Sequence, residues 1–135
     1  VKAIDIADSK GHIIKIFDGF RPPLAQELLW SIFPDERYVS PPSRGSIHTR
    51  GVAVDLTLVD KSTGLEVDMG TPFDDFTQLS NHLSTDISID AQNNRKILLD
   101  IMNQAGLESY VEEWWHYQIP NALNYPMIKE NYDVM

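Results

Sequence analysis

Four residues in two separate segments of the chain carry the side chains of a metal-dependent hydrolytic site. His48 and Asp55 lie in the segment SIHTRGVAVDL, and Glu113 and His116 lie about sixty residues later in EEWWH. Two imidazoles and one carboxylate can hold a zinc ion and leave a fourth position open for water, which is typical of catalytic zinc sites. A further carboxylate nearby is where a general base for that water is needed. The pattern predicts a zinc hydrolase.

The spacing of these residues constrains the backbone that must position them. His48 and Asp55 are seven residues apart, so a regular strand would point them to opposite faces of a sheet. They converge only if His48 lies in a loop before the strand, and the segment 49–51 (Thr-Arg-Gly) is suited to such a bend. Glu113 and His116 would also face opposite ways on one strand, which predicts a turn between them.

Each of these residues also has a structural interpretation. Asp55 could take an exposed place on an edge strand, and His116 could be a hydrogen-bonded neighbour of two core tryptophans. Arg21 lies just before a predicted helix, where its guanidinium could neutralise an oxyanion or simply pair with Asp18. For Arg21 the sequence alone favours neither interpretation.

Composition excludes several classes of protein. The 135 residues include no cysteine, which rules out disulfides, thiolate metal ligands and a cysteine nucleophile. A net charge of −9 opposes nucleic-acid binding. No apolar run is long enough to span a membrane, and the N-terminus does not have the pattern of a signal peptide. We expect one domain over 1–135, in the cytoplasm or periplasm, in a mature or truncated form because residue 1 is not Met.

Hydrophobic periodicity predicts an α+β fold, with a small antiparallel sheet and helices packed on one side of it. Strands are expected at 12–17, 52–59, 65–69, 107–111 and 115–119. The strand at 65–69 is expected to return along 52–59, and the last two strands are expected to form a second hairpin.

Three helices are predicted between these strands. The first begins at the prolines 22–23, ends at Pro34, and is expected to bury a stripe made by Leu24, Leu28, Leu29 and Ile32. The second runs from Asp74 to about Leu83, with a solvent-facing His82 that is not a ligand, and His12 is not interpreted as one either. The third follows Asp90 and is stopped by Gly106.

Several segments of the chain resemble one family of enzymes. DGFRP, SIHTRGVAVDLTL, the Thr-Gly turn followed by MGTPFD, and EEWWHY are similar to segments of the D-alanyl-D-alanine dipeptidases, in order from about Phe17 to Tyr117. The zinc signature alone would indicate only a wider group of D,D-carboxypeptidases and related cell-wall peptidases with a hedgehog-like zinc core. The other segments indicate the dipeptidases, which act in vancomycin resistance and in D-alanine recovery.

This resemblance implies roles for the residues that carry the chemistry. It implies one zinc ion per chain, with His48, Asp55 and His116 as its ligands. Glu113 would be the catalytic base that activates water, and Arg21 would stabilise the tetrahedral oxyanion together with zinc.

The resemblance also implies substrate contacts. Ser46 would contact the substrate carboxylate, Asp74 would meet its ammonium group, and Asp18 would orient Arg21 or the neighbouring loop. Members of the family carry a further strand and helix before DGFRP, and only about seventeen residues precede Asp18 here. We therefore expect an N-terminal family segment to be missing from the numbered chain.

The activity that follows from the resemblance is zinc-dependent hydrolysis of D-Ala-D-Ala to two D-alanines, with this small dipeptide as the binding partner. An alternative is a D,D-carboxypeptidase or peptidoglycan endopeptidase that acts on longer cell-wall peptides. A non-catalytic, zinc-stabilised binding module is a third interpretation, which the presence of both Glu113 and Arg21 opposes.

Overall fold

The computed structural model describes residues 1–129, and these form an α+β fold, as predicted. The helices are α1 (Lys2–Ser9), α2 (Pro23–Ile32) and α3 (Ile89–Gln104). The strands are β1 (His12–Asp18), β2 (Ala53–Asp60), β3 (Glu108–Tyr110) and β4 (Glu113–Gln118). Short 3-10 turns lie at His48–Arg50, Gln78–Ser80 and Ala122–Asn124. The predicted domain over 1–135 includes residues 130–135, which lie outside this described range.

The four strands form one antiparallel sheet in the order β1-β2-β4-β3. The predicted strands at 12–17 and 52–59 are confirmed as β1 and β2, and the last hairpin is confirmed as β3 and β4. The return strand predicted at 65–69 is wrong except for one bridge between Val59 and Glu66. Beyond that bridge the Asp68 carboxylate accepts the Gly70 N–H, which turns the chain away from β2.

The core lies between the sheet and the helices α1 and α3. Alternation along β2 turns Leu56 and Leu58 towards this core and Asp55 towards the opposite face. The helix predicted after Asp90 is confirmed as α3, and Gly106 ends it with a φ of +89°. The core side chains of α3 are Leu98, Ile101 and Met102. Helix α1, which the sequence did not predict, adds Ala7 to the same core. Within residues 1–129, none of the helices is both long and apolar enough to cross a bilayer.

An irregularity in β1 aligns three polar residues across the sheet. Ile16 is opposite Leu56 but Asp18 is opposite Asp55, so Phe17 is an extra residue at a β-bulge. On the other side of β2, Asp55 is opposite His116 of β4. Because residues directly opposite each other share a face, Asp18, Asp55 and His116 form one row on one face of the sheet.

A second irregularity lies at the start of β4. Tyr117 is opposite Ser109, yet Glu113 is opposite Tyr110, so β4 contains extra residues between Glu113 and Tyr117. The turn predicted between Glu113 and His116 is therefore wrong. Both residues lie in β4, and the bulge absorbs the offset that a regular strand would give their side chains.

The helix predicted from Asp74 to Leu83 is also wrong, because this segment is a loop with one 3-10 turn. Asp74 has a φ of +63°, which an α-helix does not permit. The buried Arg95 of α3 donates hydrogen bonds to three loop carbonyls, of Met69 (2.7 Å), Leu79 (2.8 Å) and Asn81 (2.8 Å). These contacts fix the loop in a conformation that its own hydrophobic pattern does not indicate.

His82, in the same loop, does not face solvent as predicted. Its side chain is half-buried, with its ring edge-to-face against Tyr117 at a centroid distance of 6.2 Å. Its Nε2 is buried and has no hydrogen-bond partner among the described residues. Burial, with a smaller contribution from the charge of Arg95, lowers the pKa of His82 to about 4.

Helix α2 is present as predicted, but its buried side is wrong. Leu24, Leu28 and Ile32 are 64%, 62% and 71% exposed, and the buried residue of the helix is Gln26. The Gln26 side chain accepts a hydrogen bond from Arg21 (2.9 Å) and donates one to the Ser40 carbonyl (2.8 Å). These polar contacts turn Gln26 inward, so Leu24, Leu28 and Ile32 face outward, while Leu29 is half-buried.

Candidate metal centre

A short turn before β2 carries His48 to the polar face of the sheet. The 3-10 turn His48–Arg50 ends at Gly51, whose φ of +71° lies in the left-handed region that favours glycine. The Ser46 hydroxyl accepts the His48 N–H at 3.1 Å and so helps to form the turn. The predicted placement of His48 in a bend before the strand is confirmed.

Three buried side chains converge on this face, and we call His48, Asp55 and His116 the metal centre. Asp55 Oδ1 lies 3.1 Å from His48 Nε2 and 3.1 Å from His116 Nδ1. One potential ligand atom from each residue lies within 4.8 Å of the others. The three residues are 4%, 2% and 7% exposed, so burial excludes the interpretation of Asp55 as an exposed edge residue. The group could hold a metal ion.

The outer nitrogens of both rings have hydrogen-bond acceptors. His48 Nδ1 lies 2.7 Å from the Gly19 carbonyl, and His116 Nε2 lies 2.9 Å from Gln118 Oε1. If a metal ion bound the two inner nitrogens, each ring would carry its proton on the outer nitrogen, where a carbonyl oxygen stands ready to accept it. This is the arrangement by which proteins orient histidine ligands. Three electron-pair donors that face one another suit a divalent cation.

The Asp55 side chain is held in its ionised form. Burial acts to raise the pKa of this carboxyl, but hydrogen bonds from His116 and His48, together with their charges, outweigh burial and lower it. Arg21 adds a fixed positive charge, with Nη2 3.9 Å from Asp55 Oδ2. An anionic carboxylate between two imidazoles is a set of ligands typical of zinc.

Arg21 is itself held by Asp18. Its Nε and Nη2 donate to Asp18 Oδ2 at 3.1 and 2.6 Å, and Asp18 Oδ1 accepts the Gly19 N–H at 3.0 Å. The two interpretations of Arg21 are therefore compatible, because the guanidinium pairs with Asp18 while it lies beside the metal centre. The third nitrogen of the guanidinium, Nη1, donates to Gln26.

Glu113 lies in a cavity that adjoins the metal centre. This catalytic cavity has a volume of about 270 Å³, and its lining includes Glu113, His116, Ser46, Tyr110 and Arg44. Glu113 is 7% exposed. Burial, reinforced by the negative charges of Asp55 and Asp74 against the opposing charge of His116, raises the pKa of Glu113 to about 8. The structure thus places Ser46 and Glu113 in one cavity with a residue of the metal centre.

Asp74 lies on the loop after β2 and not in the lining of the catalytic cavity. Asp74 is an exposed residue, but its carboxyl lies close enough to the metal centre for the charges of Asp55 and Arg21 to shift its pKa. Desolvation, followed by repulsion from Asp55, raises the pKa of Asp74 to about 6, although Arg21 acts in the opposite direction. The position of Asp74 is compatible with contact to one end of a ligand.

Three contributors to the site did not emerge from the sequence. Gly19 takes part through its backbone carbonyl, which carries no signal in residue type. Gln26 could not be identified because it lies in a helix with an apolar stripe. Gln118 did leave a signal, since it follows His116 by two residues, and residues two apart on a strand share a face.

Comparisons with known proteins agree with this geometry. A family model described as D-ala-D-ala dipeptidase matches residues 1–134. A D-alanyl-D-alanine dipeptidase of Escherichia coli K12 is 38% identical over 131 residues, or 97% of this chain and 67% of that protein. A dipeptidase of the same name from Enterococcus faecium is 34% identical over 135 residues, or 87% of this chain and 67% of that protein. The chain spans about two thirds of the length of these relatives.

Proposed function

The chain belongs to the D-Ala-D-Ala dipeptidase family of metallopeptidases, and we propose that it hydrolyses D-alanyl-D-alanine to two molecules of D-alanine with the help of one zinc ion. The observation that carries this proposal is the buried metal centre beside a cavity that contains Glu113. A site of about 270 Å³ is of a size suited to a small peptide.

In this proposal the zinc ligands are His48 Nε2, the Asp55 carboxylate and His116 Nδ1. Nitrogen and carboxylate donors in this number favour zinc over the hard cations magnesium and calcium, which take oxygen ligands. A bound zinc ion supplies Lewis acidity, which polarises a peptide carbonyl and makes hydroxide available near neutral pH.

Glu113 is proposed as the general base and then the general acid. A carboxyl group whose pKa is raised towards neutrality can take a proton from water and return it at the pH of the reaction. Burial raises the pKa of Glu113 to about 8, and the positive charge of a bound zinc ion would lower it again towards neutrality. We propose that Glu113 accepts the proton of the attacking water and delivers it to the amine of the leaving D-alanine.

Arg21 is proposed to stabilise the oxyanion that develops on the scissile carbonyl. Its guanidinium is fixed in position by Asp18 at 2.6 Å and lies 3.9 Å from Asp55. Donors that are fixed before the reaction stabilise developing charge without a cost of reorganisation. Asp18 therefore acts on the reaction by orienting Arg21.

The two ends of the dipeptide are proposed to contact different residues. The Ser46 hydroxyl, in the lining of the catalytic cavity, would donate to the substrate carboxylate. Asp74 would accept the free ammonium group, an interaction favoured by the negative charges around the site. A substrate with a blocked amino terminus would lose that contact, which separates a dipeptidase from a peptidase of longer cell-wall chains.

The test is release of D-alanine from free D-Ala-D-Ala by zinc-loaded protein, alongside protein treated with a chelator and protein to which zinc is then restored. We expect release that chelation abolishes and zinc restores, and at least about tenfold slower cleavage of N-acetyl-D-Ala-D-Ala, equal to about 1.4 kcal/mol in the transition state. Folded, zinc-containing protein that releases no D-alanine from the free dipeptide would contradict the proposal. Faster cleavage of the acetylated substrate would instead favour the carboxypeptidase alternative.

A further inference from the structure

The hydrogen bond between His116 and Gln118 has a consequence for metal binding. His116 lies in β4 with Nδ1 directed at Asp55 and Nε2 directed at Gln118 Oε1, 2.9 Å away. A neutral imidazole carries one proton, and only the unprotonated nitrogen can bind a metal ion. A group that accepts from Nε2 therefore favours the ring form in which Nδ1 is available to the metal, whereas Asp55 can accept a proton from Nδ1 when no ion is bound.

The two histidines of the metal centre obtain this acceptor in different ways. His48 uses the Gly19 backbone carbonyl, which can only accept and does not depend on any side chain. His116 relies on a side-chain amide, which accepts through its oxygen but would donate through its nitrogen if the amide were turned over. A donating Gln118 would place the proton of His116 on Nδ1 and block the metal-facing nitrogen.

The strand geometry explains why Gln118 can reach the ring. His116 and Gln118 are two residues apart on β4 and share a face of the sheet. Opposite Gln118 on β2 is Ala53, whose small side chain leaves room on that face. The Gln118 side chain is half-buried, so its hydrogen bond to the ring is partly shielded from competing water.

We propose that Gln118 is a positioning residue of the metal centre, because its side-chain oxygen lies 2.9 Å from His116 Nε2 and accepts the proton that the ring must carry there when Nδ1 binds zinc. The inference rests on the proposed zinc site but not on the proposed substrate. Partners of this kind typically change metal affinity by about 10- to 100-fold when they are removed. In this proposal Gln118 is not a ligand: it contacts the ring of His116 and also lines the catalytic cavity, so zinc affinity is the measurement that separates its positioning role from contact with a substrate.

The test uses the full chain in wild-type form and as the variants Gln118→Leu and Gln118→Glu. Gln118→Leu removes the acceptor, whereas Gln118→Glu keeps an oxygen acceptor at the same length. Gln104→Leu is the matched control, because Gln104 is an exposed glutamine that bonds Asp100 at 2.8 Å and lies on α3. Zinc affinity is measured by competition with a chromophoric chelator, and the hydrogen bond of the His116 Nε2–H is measured by nitrogen-15 NMR of zinc-loaded protein.

We expect Gln118→Leu to weaken zinc binding by about 10- to 100-fold, with Gln118→Glu and Gln104→Leu within about threefold of wild type. In the zinc-loaded wild-type protein the His116 Nε2–H should show the low-field shift and slow exchange of a hydrogen-bonded proton. In Gln118→Leu this proton should move to higher field or exchange rapidly with water.

Two results would overturn the proposal. One is a zinc-loaded wild-type protein in which the His116 Nε2–H exchanges like a solvent-exposed proton, a measurement that does not depend on whether any variant folds. The other is a folded Gln118→Leu protein that binds zinc as tightly as wild type. Neither measurement involves substrate, so an inactive enzyme would contradict the dipeptidase proposal without affecting this one.

Discussion

The metal centre and the loop that contains His82 hold their histidines in contrasting ways. His48 and His116 have a partner at both nitrogens, Asp55 on the inner side and an accepting oxygen on the outer side. His82 packs its ring against Tyr117, and its buried Nε2 has no partner within residues 1–129. Packing of the ring alone therefore does not orient a histidine for metal binding. Partners at both nitrogens fix the rings of His48 and His116, as their proposed role as ligands requires.

The largest effect is expected from substitution of Asp55, whose Oδ1 lies 3.1 Å from both His48 Nε2 and His116 Nδ1. In Asp55→Asn the carboxylate becomes an amide, which is neutral and a poor ligand for zinc. Structural zinc sites gain about 10–16 kcal/mol from their ligands together, so loss of one should weaken zinc binding at least about 100-fold. Chelator competition measures this, with Asp100→Asn on the exposed face of α3 as the control. Unchanged zinc affinity would contradict the assignment of Asp55 as a ligand.

The second-largest effect should separate catalysis from metal binding at the metal centre and its adjoining cavity. Glu113→Ala should lower kcat by at least about 100-fold because it removes the proposed base, while the zinc content stays near one per chain. Steady-state kinetics and metal analysis of the same preparation test this. Glu112→Ala, which alters the neighbouring carboxylate, should leave kcat close to wild type. A Glu113→Ala enzyme of normal activity would contradict the proposed role of Glu113 as the base.

His82, whose buried Nε2 has no hydrogen-bond partner within residues 1–129, should affect the free energy of unfolding and its dependence on pH. The pKa of His82 is lowered to about 4 in the folded state from about 6.5 when unfolded, so the unfolded chain binds the proton more readily. The contribution of His82 to stability is therefore complete above pH 6.5 and is lost as the pH falls from about 6.5 to about 4. The loss should be at most about 3 kcal/mol.

Denaturant unfolding of wild type and His82→Leu at a series of pH values measures this contribution. The difference between the two free energies of unfolding should change over that interval in favour of the variant as the pH falls. A difference that stays constant would mean that His82 is accessible or paired in solution, and the contrast with the metal centre would no longer hold.

The smallest effect on stability is expected on the exposed face of α2, a helix that contributes no residue to the metal centre. Leu28 is 62% exposed, so Leu28→Ser should change the free energy of unfolding by no more than about 0.5 kcal/mol. Chemical denaturation measures this, with Leu98→Ala in the core as a positive control that should cost about 2–5 kcal/mol. A cost above about 1 kcal/mol for Leu28→Ser would show that the outer face of α2 is covered in solution.

The metal centre was largely predictable from the sequence, because its chemistry restricts the residue types. His48 and Asp55 could converge only through a bend, and Gly51 supplies the left-handed residue that such a bend requires. Asp55 in an apolar strand indicated a buried partner. The roles of Glu113 and Arg21 stay predictions, but the structure places both beside the metal centre.

The parts that could not be predicted depend on contacts between distant segments. The loop around Asp74 has a helical pattern, yet Arg95 binds its carbonyls from α3, fourteen to twenty-six residues further along the chain. The orientation of α2 depends on Gln26, whose contacts with Arg21 and Ser40 prevail over the apolar stripe. The bulge in β4 depends on its pairing with β3 and leaves no mark in either strand alone.

The hydrogen bonds from Arg95 to the loop around Asp74 have a consequence for the thermodynamics of ligand binding. Burial lowers the pKa of Arg95 to about 10, so the guanidinium keeps its charge at neutral pH and bonds the carbonyls on both sides of Asp74. A loop held in this way loses its conformational freedom when the protein folds. A ligand that contacts Asp74 therefore does not have to immobilise the loop, and more of its interaction energy is expressed as affinity.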